Sequence, residues 1–234
     1  MIKDNKLVMQ IYRQLLTYFG PQGWWPGDSR LETIVGAILT QAVAWSNVEK
    51  SIQRLKQAQL LEINQLYAVE EDRLAELIRT TLYHRQKARK LKIMASFLIE
   101  HYDGNLDLMF NQPLSILRQE LLSLWGIGEE TADSILLYAG NYRIFVVDNY
   151  TRRIFSRLGL VSNRVTYKEM QSYLHSYTEP DVNIYNEYHA LLVALGAGYC
   201  KKNRPHCLMC PIQLYCKYMV TAQENNDSEQ NKIL

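Results

Sequence analysis

Leu121-Leu-Ser-Leu-Trp-Gly126-Ile-Gly128-Glu-Glu130-Thr-Ala-Asp-Ser-Ile-Leu-Leu-Tyr138 joins two apolar helical stretches through a Gly-x-Gly turn. One helix ends, the chain reverses, and a second helix begins at once. Glycine gives the backbone access to positive φ and lets it approach a ligand closely. The N–H groups that open the second helix have no intrahelical acceptor and point outward, where a phosphate oxygen can accept from them. Such a contact grips a nucleic-acid backbone without reading bases. A glycine-containing helical turn is often only a turn, so its meaning depends on what surrounds it.

The surroundings are helical. Apolar residues recur at helical spacing in Leu7, Ile11, Leu15 and Phe19, and again in Leu91, Met94, Phe97 and Leu98, which predicts an all-α protein of about ten short helices. Gly20, Gly104 and Gly140 mark helix stops, and Pro26 and Pro113 stand near starts. Only Arg143-Ile-Phe-Val-Val-Asp148 has strand-like composition. Between helices it reads as an extended connector. Asp148 closes that connector just before the next helical stretch, where an aspartate serves as an N-cap. The same placement holds a carboxylate ionised and oriented, as a base or a stabiliser of a positive sugar must be.

All four cysteines fall within one run, Cys200-x6-Cys207-x2-Cys210-x5-Cys216. Clustered thiolates are soft ligands suited to iron-sulfur clusters and to structural zinc. The N-terminus opens polar, with no secretory signal, so a reducing prokaryotic cytoplasm is expected, where such a cluster binds metal rather than forming disulfides. The spacing by itself leaves iron and zinc both open. Around this loop lie Lys201, Lys202, Arg204 and Lys217, and no acid occurs from Tyr188 to Gln223. A second acid-free basic stretch runs from His84 to Lys92. Either could be a solvated helix face; together, beside a metal loop, they favour phosphate binding.

The chain has 234 residues and a net charge of +2, enough length for one large or two small domains and too little charge to name a partner. No apolar run reaches the ~20 residues of a membrane span. The segment from Thr221 to Asn231 is polar and aperiodic, and residues 219–234 are expected to be a disordered tail.

Taken together, the hairpin L-W-G-I-G-E-E-T-A-D, then V-V-D, then C-x6-C-x2-C-x5-C resemble the endonuclease III branch of the helix-hairpin-helix DNA glycosylases, over about residues 20 to 218. The resemblance implies a two-domain all-α fold with damaged double-stranded DNA bound in the cleft. A six-helix barrel would span 21–133, and residues 1–20 with 134–218 would form an iron-sulfur domain. It implies a monomer that holds a 4Fe-4S cluster on Cys200, Cys207, Cys210 and Cys216. Asp148 matches the catalytic aspartate, and Gln41, in Leu39-Thr-Gln41-Ala, the side chain that fills the gap left by a flipped nucleotide. Gly126, Gly128, Lys201, Lys202 and Arg204 would meet the DNA backbone.

One departure carries weight. Bifunctional members place a lysine in the hairpin to attack the sugar, and this chain has Glu130 there. A carboxylate forms no Schiff base, which predicts base excision with weak or absent lyase activity. Trp24-Trp25-Pro26 and Trp45 resemble the base-pocket pattern of the 3-methyladenine glycosylases, whose hairpin also carries Glu. An N-alkylated purine is cationic, and indole faces and Glu130 both stabilise a cation. Two adjacent tryptophans cannot face the same side of an element, so one of Trp24 and Trp25 has another job. The expected activity is thus removal of alkylated purines such as 3-methyladenine. The alternative is a glycosylase and AP lyase for oxidised pyrimidines. The five histidines suggest no role.

Overall fold

The computed structural model describes residues 2–219, with side chains from Lys6 onward; the expected tail lies outside the described residues apart from Met219. These residues form twelve α-helices, one π-helical turn and two 3-10 turns, and no strand. The chain divides into two compact units, one made of Trp25–Tyr142, the other of the residues up to Trp24 with those from Arg143 onward.

The Trp25–Tyr142 unit holds α2 (Arg30–Leu39), α3 (Trp45–Gln57), α4 (Ile63–Ala68), α5 (Glu71–Leu77), α6 (His84–Tyr102), α7 (Leu106–Phe110), α8 (Leu114–Ser123) and α9 (Glu129–Ser134). Helix α2 is buried from Leu31 to Leu39. It starts where the Ser29 hydroxyl accepts from Glu32 N at 3.1 Å, satisfying one orphan donor. Helix α6 buries Ala88, Leu91, Met94, Ala95 and Leu98 on one stripe, against which α4 and α5 pack.

Helix α9 continues into the π turn Ile135–Ala139. It is stapled to α8 by a bidentate pair in which Arg118 Nε and Nη2 donate to the Asp133 carboxylate at 2.7 and 3.1 Å. Asp133 is fully buried, so this charge is compensated in place by the planar fork of the arginine.

The other unit holds α1 (Ile2–Phe19), α10 (Asn149–Leu158), α11 (Tyr167–Tyr177), α12 (Val182–Gly198) and the 3-10 turns Cys207–Met209 and Gln213–Tyr215. Tyr188 of α12 is fully buried, and its hydroxyl donates to Val8 O of α1 at 2.9 Å. The β-branched run Ile144–Val147 is extended and buried but pairs with no strand. Side chains of α11 satisfy its backbone instead: Phe145 N donates to His175 Nε2 at 2.9 Å, Gln171 Nε2 donates to Phe145 O at 2.7 Å, and Val147 N donates to Tyr167 Oη at 3.3 Å.

Candidate functional site

In the Trp25–Tyr142 unit the turn between α8 and α9 follows the sequence expectation in part. Gly126 has φ +82°, the left-handed region that favours glycine. Gly128 does not; at φ −96° and ψ 179° it is extended and opens α9 as its N-cap. A Cβ at Gly128 would meet nothing within 4 Å, so the backbone there faces open space. Glu129 and Glu130 occupy the exposed first turn of α9.

Gln41 lies in the turn after α2, not inside the helix. Its amide is held at the hairpin, with Nε2 donating to Gly126 O at 3.2 Å and to Thr131 Oγ1 at 2.8 Å. Lys90 Nζ of α6 donates to Gln41 Oε1, a partner the sequence did not single out. Exposed apolar side chains stand in the same unit: Trp125, in the turn itself with Arg89 over its ring at 4.8 Å, and Leu82 and Tyr83, the latter at φ +57° before α6.

The structure brings together Trp25 and Trp45, with ring centroids 5.2 Å apart and planes at 87°. Tyr138 joins them at 5.2 Å from Trp25. Trp25 lies over Gly36 of α2, where a Cβ would come within 2.9 Å of the indole Nε1, so this site needs glycine. Trp24 belongs to the other unit. Tyr138 was legible only as an apolar residue of the hairpin's second helix.

In that other unit Asp148 is the N-cap of α10. Its Oδ1 accepts from Thr151 N at 2.7 Å and from Thr151 Oγ1 at 2.8 Å, and the residue is buried. The second oxygen faces His189 Nε2 of α12 at 3.8 Å. Burial lowers the pKa of His189, and the negative Asp148 offsets this only in part. The imidazole is thus held neutral near pH 7 beside the carboxylate.

The four cysteines are free thiols that line one cavity with Arg157, Tyr199 and Tyr218. Burial pushes the Cys210 thiol up to about 11 and raises Cys207, with neighbouring sulfurs adding to both shifts. Thiolates lining one cavity need a cation to stay deprotonated, and a metal would displace the protons. Among the described residues no group of three or more ligating side chains is close enough to hold one metal ion. Lys201, Lys202 and Arg204 are exposed on the loop.

The loop is anchored by two arginines one turn apart on α10, neither of them marked by the sequence. Arg153 donates to Cys200 O at 2.8 Å and to Gly196 O at 3.1 Å. Arg157 donates to Lys201 O at 2.7 Å, to Lys202 O at 2.9 Å and to Cys200 Sγ at 3.3 Å.

Among the described residues no helix is long and apolar enough to cross a membrane. Residues 35–180 match the model of the HhH-GPD superfamily base excision DNA repair proteins. The chain is 45% identical over 219 residues to a Methanocaldococcus jannaschii protein provisionally named a DNA repair glycosylase, covering 92% of this chain and 99% of that protein. It is 33% identical over 152 residues to the endonuclease III of Sulfolobus acidocaldarius, covering 65% of each. Among solved structures, a trapped endonuclease III–DNA covalent intermediate superposes with a TM-score of 0.81 at 21% identity, covering 94% of this chain and 98% of that one. The H. pylori 3-methyladenine DNA glycosylase bound to 1,N6-ethenoadenine gives 0.70 at 25% identity, covering 81% and 95%. The chain belongs to the HhH-GPD superfamily of base excision DNA repair proteins and has the endonuclease III-like all-helical fold.

Proposed function

We propose that this protein is a glycosylase that releases alkylated purines such as 3-methyladenine from double-stranded DNA by water rather than by an enzyme amine. The observation that carries this is the aromatic group Trp25, Trp45 and Tyr138 in the unit that also presents Gln41 and the hairpin. An alkylated purine is cationic while still attached to its sugar, and electron-rich ring faces attract it where a neutral base gains only stacking. The exposed Glu130 adds opposite charge and, lacking a nucleophilic nitrogen, leaves hydrolysis as the route. The likeness to the H. pylori enzyme supports the same substrate class.

The steps assigned to this chain's residues are few. The Gly126–Gly128 turn and the loop cations Lys201, Lys202 and Arg204 bind backbone phosphates. Gln41 enters the space left when the damaged nucleotide turns out of the stack. As the glycosidic bond lengthens, positive charge grows on the sugar, and the ionised Asp148, its other oxygen fixed by Thr151, stabilises that charge and orients the incoming water. The alkylated base is already a good leaving group, so little further catalysis is required.

Cys200, Cys207, Cys210 and Cys216 would hold a 4Fe-4S cluster. All four line one cavity, and thiolate is the soft ligand that such a cluster takes. Its role here is to close the basic loop. Brown protein with broad absorbance near ~400 nm supports this, and colourless protein with stoichiometric zinc refutes it.

The test is incubation with methylated duplex DNA. Release of 3-methyladenine or 7-methylguanine, running well ahead of strand breakage until alkali is added, is the expected result. No release of either base, or breakage that keeps pace with release of oxidised pyrimidines, supports the second reading, an endonuclease III-like lyase, which the Sulfolobus acidocaldarius relative favours.

A further inference from the structure

Helix α6 carries three lysines between residues 87 and 92, and their ammonium groups have different fates. Lys87 is 2% exposed and donates to Leu39 O at 2.8 Å, sealed inside the unit. Lys92 Nζ is taken up by main-chain carbonyls, Val69 O at 2.7 Å, Leu66 O at 3.3 Å and Tyr67 O. Lys90 alone of the three donates to a side chain, Gln41 Oε1. Its stem lies across the hairpin, where a Cβ at Gly126 would collide with Lys90 Cε.

The amide of Gln41 is fully committed. A glutamine amide has two N–H donors, and these go to Gly126 O and Thr131 Oγ1, which turns Oε1 toward Lys90. The amine is thereby fastened beside the hairpin, and Thr131, at the far side of the same amide, is the sequence neighbour of Glu130. Position 130 lacks a nucleophilic nitrogen, and Lys90 supplies one a single side chain away.

We propose that Lys90 is a catalytic amine that captures the aldehyde of an abasic deoxyribose and gives this chain a slow AP-lyase activity from α6 rather than from the hairpin helix. This rests on the reading that the chain binds damaged DNA with Gln41 in the vacated space. When Gln41 moves into the duplex, Lys90 loses its partner and is left facing the abasic sugar. Partial burial lowers the affinity of Lys90 for its proton, and the charge of Lys90 in turn adds to the burial that brings Lys87 down to about 8. The burial of Lys90 favours its neutral, nucleophilic form.

The chemistry balances without an oxidant or reductant. The neutral nitrogen of Lys90 adds to C1′ of the ring-opened sugar, and the carbinolamine takes a proton from solvent and loses water to give the iminium. A C2′ proton passes to solvent water, its electron pair forms the C2′–C3′ double bond, and the C3′–O bond breaks with the phosphate as leaving group. Water then hydrolyses the imine, returning the amine and an unsaturated aldehyde on the cleaved strand.

A preformed abasic duplex with sodium cyanoborohydride tests this without depending on base excision. Wild type is expected to form a covalent adduct that peptide mass analysis assigns to Lys90. Lys90→Arg keeps the charge and the donor to Gln41 but cannot form an imine, so the adduct should fall by more than about tenfold. Binding to a duplex carrying a tetrahydrofuran abasic analogue, which has no aldehyde, reports whether each protein is folded and engages DNA. Wild type that binds this duplex yet yields no adduct, or an adduct that persists in Lys90→Arg, overturns the proposal. Failure of wild type to bind the tetrahydrofuran duplex would sink the DNA-repair reading itself, and the lyase proposal with it.

Discussion

Replacing Asp148 by Asn and by Ala separates the two tasks of this side chain. As a cap, Oδ1 accepts from Thr151 N at 2.7 Å and Thr151 Oγ1 at 2.8 Å. Asparagine keeps an oxygen there and is an equally good N-cap, so Asp148→Asn should change stability by no more than about 0.5 kcal/mol. Alanine removes both bonds. Loss of the cap costs about 1 kcal/mol, and the Thr151 hydroxyl, fully buried, loses an acceptor at a further cost of about 1–2 kcal/mol. Asp148→Ala should therefore lose about 2–3 kcal/mol by urea unfolding followed by circular dichroism. As a charge, the carboxylate is removed by both. Single-turnover release of 3-methyladenine should fall by about 10²–10³ in each variant, while affinity for DNA is kept or improved because a negative group leaves a phosphate-binding protein. Equal destabilisation by Asn and Ala would show that the cap does not hold α10. Base release by Asp148→Asn within about tenfold of wild type would remove Asp148 from the mechanism.

Gly126→Ala places a Cβ at φ +82° and against the Lys90 stem; it should cost about 1–2 kcal/mol from backbone strain alone and weaken duplex binding by dislodging Gln41, read by fluorescence anisotropy. Stability should also depend on pH through His189. Burial lowers its folded pKa below the unfolded value of about 6.5, so the unfolded chain takes the proton first as pH falls. Its contribution is flat above about pH 7 and destabilises below about 6.5, by up to about 1.4 kcal/mol per pH unit until the folded pKa is reached; His189→Gln should remove that part of the slope in chemical unfolding. Replacing Lys201, Lys202 and Arg204 together by alanine should reduce the slope of log affinity against log salt by about 0.9 for each phosphate these cations neutralise, and an unchanged slope would place this loop away from DNA.

The helical periodicity and the glycines were enough to read the fold class, because each helix buries a stripe that recurs every three or four residues. The extended run Ile144–Val147 was legible as a connector from its position between helices, but not the reason it makes no sheet, since that lies in donors and acceptors supplied by Tyr167, Gln171 and His175 some twenty to thirty residues away. The motifs singled out Asp148, Gln41, Gly126 and the four cysteines as candidates for the chemistry. Their partners stayed hidden. Lys90, His189, Arg153 and Arg157 are of types that usually face solvent or fill a core, and nothing in their spacing shows that they touch a site. Gly128 was read as a position of special backbone freedom and proves to be extended; what it contributes is the absence of a side chain at an open surface. Trp25 meets Trp45 within the Trp25–Tyr142 unit, and the alternation of side chains gives the adjacent Trp24 a different direction.

Helix α10 links the cysteine loop to the carboxylate. Its ten residues span about 15 Å, with Asp148 at one end and, toward the other, Arg153 and Arg157 making five hydrogen bonds to Gly196 and residues of the loop. Near its C-terminal end Cys216 Sγ donates to Arg157 O at 3.5 Å, and Lys217 lies over Gly159. A loop that only staples should act locally: removing one of the four thiols by Cys210→Ser should free the last turn of α10, while the buried Thr151, Ile154 and Phe155 hold the rest of the helix in place. Hydrogen exchange would then accelerate at the amides of Arg157 to Gly159 by about tenfold or more, as expected of a frayed terminus, and leave the capped amide of Thr151 protected. Base release from methylated DNA would fall only as far as DNA affinity falls, with the single-turnover rate on saturating enzyme unchanged. Faster exchange at Thr151 with a matching loss of the saturated rate would instead mean that the loop sets the orientation of Asp148, and that α10 transmits the state of the cysteine loop to the carboxylate.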